Sequence, residues 1–190
     1  MTLFHTTAHG LLSKFSPVKP FGAVFMVTHR CNARCAMCNL WQSDEKDTPI
    51  EVFLELVKNP LFSNLVNVAI TGGELTLRTD LEPLFHALLE NCPKLASINL
   101  SSNAFLPDRL VELVDGLDRL RREKGSEFKI IVQISLDGPG QIHDTIRGVP
   151  GGFEKVESAV ARLKERFKDN SQVEIHHLCV LQPSNIDSLG

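Results

Sequence analysis

The sequence predicts an α/β protein whose strands run parallel with helices packed outside them. Two observations carry that expectation. Apolar, β-rich runs alternate with amphipathic helical patterns along the 190 residues, and Gly, Ser, Asn or Asp turn signals end most of the strands. Continuous apolar strands joined through helices belong to parallel sheets with covered faces, connected by right-handed crossovers. A third observation places a site. The chemically unusual residues follow the carboxyl ends of strands, where parallel α/β architectures gather their functional groups.

In order, residues 1–21 form a leader or short cap containing Pro17 and Pro20, and residues 22–190 form the main domain. The apolar run 22–28 reads as a buried strand. A cysteine-rich loop follows, then a polar stretch from Trp41 to Thr48. Thr48 is expected to cap a helix running to about Lys58, with Pro49 at its first position and Glu51 in its first turn. Strands are expected at 65–71, 96–100, 128–136 and 173–181. Helices are expected at 80–90, 107–124 and 152–167, with another beginning near Pro183-Ser184-Asn185.

Composition removes several function classes. Charge is mixed, with a net of −3, and the densest basic group (Arg119, Arg121, Arg122, Lys124) falls on a mixed-charge helix, which reads as a solvated face rather than a nucleic-acid surface. No run of about 18 apolar residues exists, so no membrane span is expected. The N-terminus lacks a signal-peptide pattern. Five cysteines, three of them clustered, point to a metal site in a reducing cytoplasm rather than to a disulfide framework.

The cluster is Cys31-Asn32-Ala33-Arg34-Cys35-Ala36-Met37-Cys38. Its spacing gathers three thiolates around one small volume, as a metal or iron–sulfur cluster requires. A four-iron cluster held by three thiolates keeps one iron open to a small molecule, and sites that do chemistry keep a position free. Three further loops would surround this corner. Gly72-Gly73 allows a ligand to approach the backbone and permits positive φ, and Glu74 offers a carboxylate to a ligand ammonium. Ser102, Asn103, Ser135 and Asp137 offer groups for a polar ligand. Arg147 suits a carboxylate. Each is individually also a common turn, cap or surface residue. Cys92 reads as a plain thiol and Cys179 as core. Trp41 is placed to pack over the cluster.

Taken together, these motifs resemble the radical S-adenosylmethionine (radical SAM) superfamily. Cys31, Cys35 and Cys38 match its CxxxCxxC signature. Ser135-Leu136-Asp137-Gly138-Pro139, with His143-Asp144 and Arg147-Gly148, is similar to the fourth-strand region of anaerobic sulfatase-maturating and SPASM-type members. The resemblance implies a partial (β/α)6 TIM-like barrel, here ending after the fifth strand. It implies a [4Fe-4S] cluster on the three cysteines and S-adenosyl-L-methionine on the fourth iron. Gly73 and Glu74 would then contact the methionine amino group, Ser135 the ribose and Arg147 the carboxylate, beside Ser102 and Asn103. The implied reaction is reductive cleavage of S-adenosylmethionine and hydrogen abstraction from a substrate. A flavodoxin- or ferredoxin-type reductant would feed it, and the substrate class would include peptides or proteins. Met37 stands where the family usually has an aromatic residue, and Leu75 where it commonly has proline.

Two other classes fit parts of the pattern. A non-catalytic iron–sulfur electron carrier explains the cysteines but leaves Gly72-Gly73-Glu74 and Arg147 idle. A zinc-stabilised binding module would recruit His29 as a fourth ligand.

Overall fold

The computed structural model describes residues 19–188, so most of the expected leader over 1–21 lies outside the described residues. Five strands, β1 (Gly22–Met26), β2 (Asn67–Thr71), β3 (Ser97–Ser102), β4 (Lys129–Ser135) and β5 (Val173–Leu178), pair in parallel in sequential order. The connections carry α1 (Ile50–Lys58), α2 (Glu82–Asn91), α3 (Pro107–Glu123), and α4 (Gln141–Arg147) followed by α5 (Gly152–Phe167). The strand order never reverses, so the sheet has no switch point of the doubly wound kind. This is the partial TIM-barrel arrangement.

Strand alternation decides which face is covered. Val68, Ile70, Ile98, Leu100, Ile130, Val132 and Ile134 are fully buried. They pack in one core with Phe53 and Val57 of α1, Leu84 and Leu88 of α2, Leu110, Val114 and Leu117 of α3, and Val156, Ala159 and Leu163 of α5. Burying each such side chain contributes roughly 1.5–3 kcal/mol. Phe25 meets Phe53 edge-on at 6.0 Å. The alternate residues face the concave side, and here the expectation of strands buried on both faces fails. Ala69, Thr71, Asn99, Ser101, Gln133 and Ser135 are partly exposed, and Val24 is 72% exposed. The concave face is polar and open, with Ser101 Oγ donating to Gln133 Oε1 at 3.0 Å.

Several local expectations change. Pro49, not Thr48, occupies the N-cap of α1, and no side chain caps it. The Thr48 carbonyl instead accepts from Arg78 Nη1 at 2.8 Å. β3 runs two residues further than expected, so Ser101 and Ser102 belong to the strand. The segment around His143, outside the helices expected from sequence, forms a helix, α4, ended by Gly148 at φ 64°. Arg121, expected on a solvated face, is buried and paired with Asp118 Oδ1 at 2.8 Å. Cys179, expected in the core, is exposed beyond the end of the edge strand β5. Cys92 is buried, and all five cysteines are free thiols. Among the described residues no helix is long and apolar enough to cross a membrane.

Candidate functional site

The carboxyl ends of the strands surround a cavity of about 220 Å³. Its wall includes Cys31, Cys35 and Cys38 from the loop after β1, Gly72 and Gly73 after β2, and Ser102 and Asn103 at the end of β3. Ser135 at the end of β4 and Arg147 at the end of α4 complete it. Nine of the eleven residues singled out from the sequence therefore meet at one place. The other two, Glu74 and Asp137, stand behind the wall, each fully buried.

The cysteine loop is docked by main-chain bonds. Arg34 N donates to Arg147 O at 2.8 Å and Ala36 N to Ile146 O at 2.9 Å. The loop lies close because Gly148 has no side chain; a Cβ there would sit 2.5 Å from Arg34 O. Donors surround the sulfurs. Ala33 N lies 3.4 Å from Cys31 Sγ, Leu40 N 3.5 Å from Cys38 Sγ, Asn103 Nδ2 3.9 Å from Cys31 Sγ and Arg147 Nη1 3.7 Å from Cys35 Sγ. Burial pushes the Cys31 and Cys35 thiols up. Around Cys35 the charge and hydrogen bond of Arg147 oppose that rise. Three thiols on one wall, each with an N–H aimed at sulfur, fit the ligand set of an iron–sulfur cluster, whose potential such bonds tune. Among the described residues no three Cys, His, Asp or Glu side chains gather tightly enough to hold a single ion.

The glycine pair works differently from the sequence expectation. Neither Gly72 nor Gly73 has positive φ. Their missing side chains make room for the chain after β1: a Cβ on Gly72 would lie 2.4 Å from Thr28 O, and one on Gly73 2.2 Å from Arg30 O. Gly73 N donates to Thr28 O at 2.7 Å and Glu74 N to Arg30 O at 2.8 Å. The pair thus clamps the start of the cysteine loop to the end of β2, while its backbone also lines the cavity.

Glu74 does not present its carboxylate to the cavity as expected. Oε1 accepts from Thr76 N (3.0 Å), Thr76 Oγ1 (2.6 Å) and Ser102 Oγ (2.7 Å), and Oε2 accepts from Asn103 N (2.7 Å). A buried carboxylate needs such donors, and these join the β2 loop to the end of β3. Asn103 in turn donates to Asn32 Oδ1 at 2.7 Å. Asp137 likewise accepts from protein groups, Arg147 Nε on Oδ2 and Val180 N (2.9 Å) on Oδ1, so it holds Arg147 rather than offering itself to a ligand.

His29, the fourth ligand of a zinc alternative, is absent from the cavity wall; its Nδ1 lies 3.0 Å from Glu45 Oε2. Trp41 and Met37 do line the cavity, with Arg34 over the Trp41 ring at 6.0 Å. Sequence reasoning missed Thr71 and Ser101, also in the wall. Their signal was strand alternation, since both share the inward phase of Ser135. It also missed the supports. Asp47 accepts from Thr28 Oγ1 (2.7 Å), His29 N (3.0 Å) and Arg30 Nε (2.8 Å). Arg78 donates to Val27 O. These partners are far apart in sequence, and no local pattern marks them.

A parallel barrel with a three-cysteine loop at the carboxyl end of its first strand defines an iron–sulfur α/β core. The chain belongs to the radical SAM superfamily, whose profile matches residues 25–188. It is 30% identical over 149 residues to the antilisterial bacteriocin subtilosin biosynthesis protein AlbA of Bacillus subtilis, covering 77% of this chain and 31% of that protein. It is 28% identical to the sporulation killing factor maturation protein SkfB of Bacillus subtilis, covering 77% and 33%. The solved structure of native anSMEcpe with bound AdoMet and Cp18Cys peptide superposes with TM-score 0.60 at 26% identity, over 83% of this chain and 42% of that one. The chain thus spans about a third of the length of these curated relatives. Members of the family use a [4Fe-4S] cluster and S-adenosylmethionine.

Proposed function

We propose that this chain is the core of a radical SAM enzyme that cleaves S-adenosylmethionine reductively and thereby starts hydrogen abstraction from a peptide or protein substrate. The observation that carries the reading is the convergence of Cys31, Cys35 and Cys38 with the ends of four strands on one cavity. The three thiolates would hold a [4Fe-4S] cluster, which supplies the electron for cleavage when bound.

The protein's own part is positioning and exclusion of water. The backbone of Gly72 and Gly73 would take the methionine amino group, the Ser135 hydroxyl the ribose, and the Arg147 guanidinium the carboxylate. Glu74 would act by fixing Ser102 and Asn103, and Asp137 by fixing Arg147. Met37, Leu40 and Trp41 add apolar surface to the wall, which limits the water that would quench a reactive substrate radical. A flavodoxin- or ferredoxin-type reductant and a cytoplasmic setting suit free thiols and a low-potential cluster. The net charge of −3 and scattered basic residues argue against a nucleic-acid partner. The peptide class rests on relatives named for bacteriocin biosynthesis and killing-factor maturation, and on a similar structure that holds a peptide.

The test is anaerobic reconstitution followed by dithionite and S-adenosylmethionine, with 5′-deoxyadenosine as readout and Cys35→Ala alongside. Product from the wild type alone supports the reading. A brown protein that forms no product in the presence of reductant favours an electron carrier.

A further inference from the structure

Arg147, through its guanidinium and its main-chain carbonyl, ties its own helix to the cysteine loop and to the segment after β4. Arg147 Nη1 lies 3.7 Å from Cys35 Sγ. Its Nε donates to Asp137 Oδ2, and its carbonyl accepts from Arg34 N in the cysteine loop. Asp137 is itself fixed from every side. Val180 N donates to its Oδ1 at 2.9 Å, Asn185 Nδ2 to its carbonyl at 2.9 Å, and its own N–H donates to His143 Nδ1 at 3.2 Å. The carboxylate is wholly buried and Arg147 is 9% exposed. The pair therefore has little freedom, and the separation of guanidinium from sulfur is set by Asp137.

Beyond any contact with S-adenosylmethionine, we propose that Arg147 and Asp137 act as a charge-balanced pair that sets the reduction potential of the cluster through Cys35. Arg147 donates to the ligand sulfur. Asp137 is a positioning residue that holds the guanidinium there and offsets part of its charge. The inference rests on the reading of Cys31, Cys35 and Cys38 as cluster ligands.

Adding one electron makes the cluster one unit more negative. A cation and an N–H donor at a ligand sulfur stabilise the reduced state more than the oxidised state and raise the potential. A carboxylate behind that cation does the opposite by its charge. Low local polarity makes both effects felt, because neither group is screened by bulk water. The two residues should therefore have opposite signatures. Arg147→Gln removes the cation and lowers the potential. Asp137→Asn keeps an acceptor oxygen for Nε, sets its amide N–H₂ toward Val180 N, removes the counter-charge and raises the potential.

The experiment is an EPR-monitored redox titration of the full chain, reconstituted anaerobically without S-adenosylmethionine, so that any carboxylate contact is out of play. Opposite shifts for Arg147→Gln and Asp137→Asn, each normalised to iron content, support the pair. A purely structural pair would lower iron content in both variants and leave the potential of the remaining cluster at the wild-type value, and that result overturns the inference. Shifts of the same sign overturn it too. Should Asp137→Asn fail to fold, Arg147→Lys decides. A potential nearer wild type for Lys than for Gln supports the charge effect, and equal potentials overturn it. A wild-type chain that assembles no cluster overturns the underlying reading, and it does so before any variant is compared.

Discussion

Replacing Gly73 with alanine tests whether the glycine pair is a packing clamp. The new Cβ would lie 2.2 Å from Arg30 O, 2.6 Å from Arg30 C and 2.8 Å from His29 O. All three neighbours are backbone and cannot rotate away, so the chain after β1 must retreat by nearly an ångström. That retreat breaks the bonds from Gly73 N to Thr28 O and from Glu74 N to Arg30 O. Two such bonds are worth about 0.5–1.5 kcal/mol each, and overpacking adds about 1–3 kcal/mol. Gly73→Ala should therefore destabilise the cluster-free chain by about 2–6 kcal/mol. Gly116 is the control. It lies inside α3 with its nearest would-be neighbour, Arg119 Nη2, at 4.0 Å, so Gly116→Ala should stabilise by about 0.5–1 kcal/mol. Urea unfolding under reducing conditions, followed by circular dichroism, measures both. A Gly73→Ala midpoint within error of wild type would refute the clamp.

Three further outcomes follow from the same geometry. Glu74→Gln sets an amide N–H₂ against donors that now meet a carboxylate; it should cost about 1–3 kcal/mol in urea and weaken S-adenosylmethionine binding measured by calorimetry. Asp144 accepts from Gly151 N (2.6 Å) and Phe153 N (2.7 Å) at the start of α5, so Asp144→Ala should lower stability by about 1–2 kcal/mol in a thermal melt and leave iron content unchanged. His143 is held below its ordinary 6.5, chiefly by burial and then by the charge of Arg147. The unfolded chain takes up that proton and the folded chain resists it, so stability falls as pH drops below about 6.5, by up to about 1.4 kcal/mol per unit. His143→Phe should remove this increment when urea midpoints at pH 7.5 and 5.5 are compared.

The order of elements was legible because each strand is a short apolar run and each helix carries its own periodicity; residues 152–167 were bounded correctly from sequence alone. The cysteine loop and its neighbours were legible because strand ends converge in parallel sheets. What stayed hidden depends on partners distant in the chain. For Glu74, a lone carboxylate after Gly-Gly gives no hint of Ser102, Asn103 and Thr76 waiting to bond it. Gly72 and Gly73 read as a place for a ligand, and their second task, making room for the carbonyls of Thr28 and Arg30 more than forty residues earlier, is invisible locally. Helix α4 is only seven residues long, too short for its period to show. Cys179 looked like core because hydropathy does not mark an edge strand.

The most direct measurement is the EPR spectrum of the anaerobically reconstituted, dithionite-reduced chain with and without S-adenosylmethionine, beside Cys31→Ala, Cys35→Ala and Cys38→Ala. The wild-type chain should carry about four irons and give a reduced-cluster signal that changes when S-adenosylmethionine is added. Each cysteine variant should lose that signal. A wild-type signal indifferent to S-adenosylmethionine, or a colourless protein carrying one zinc, would contradict a cluster that binds S-adenosylmethionine.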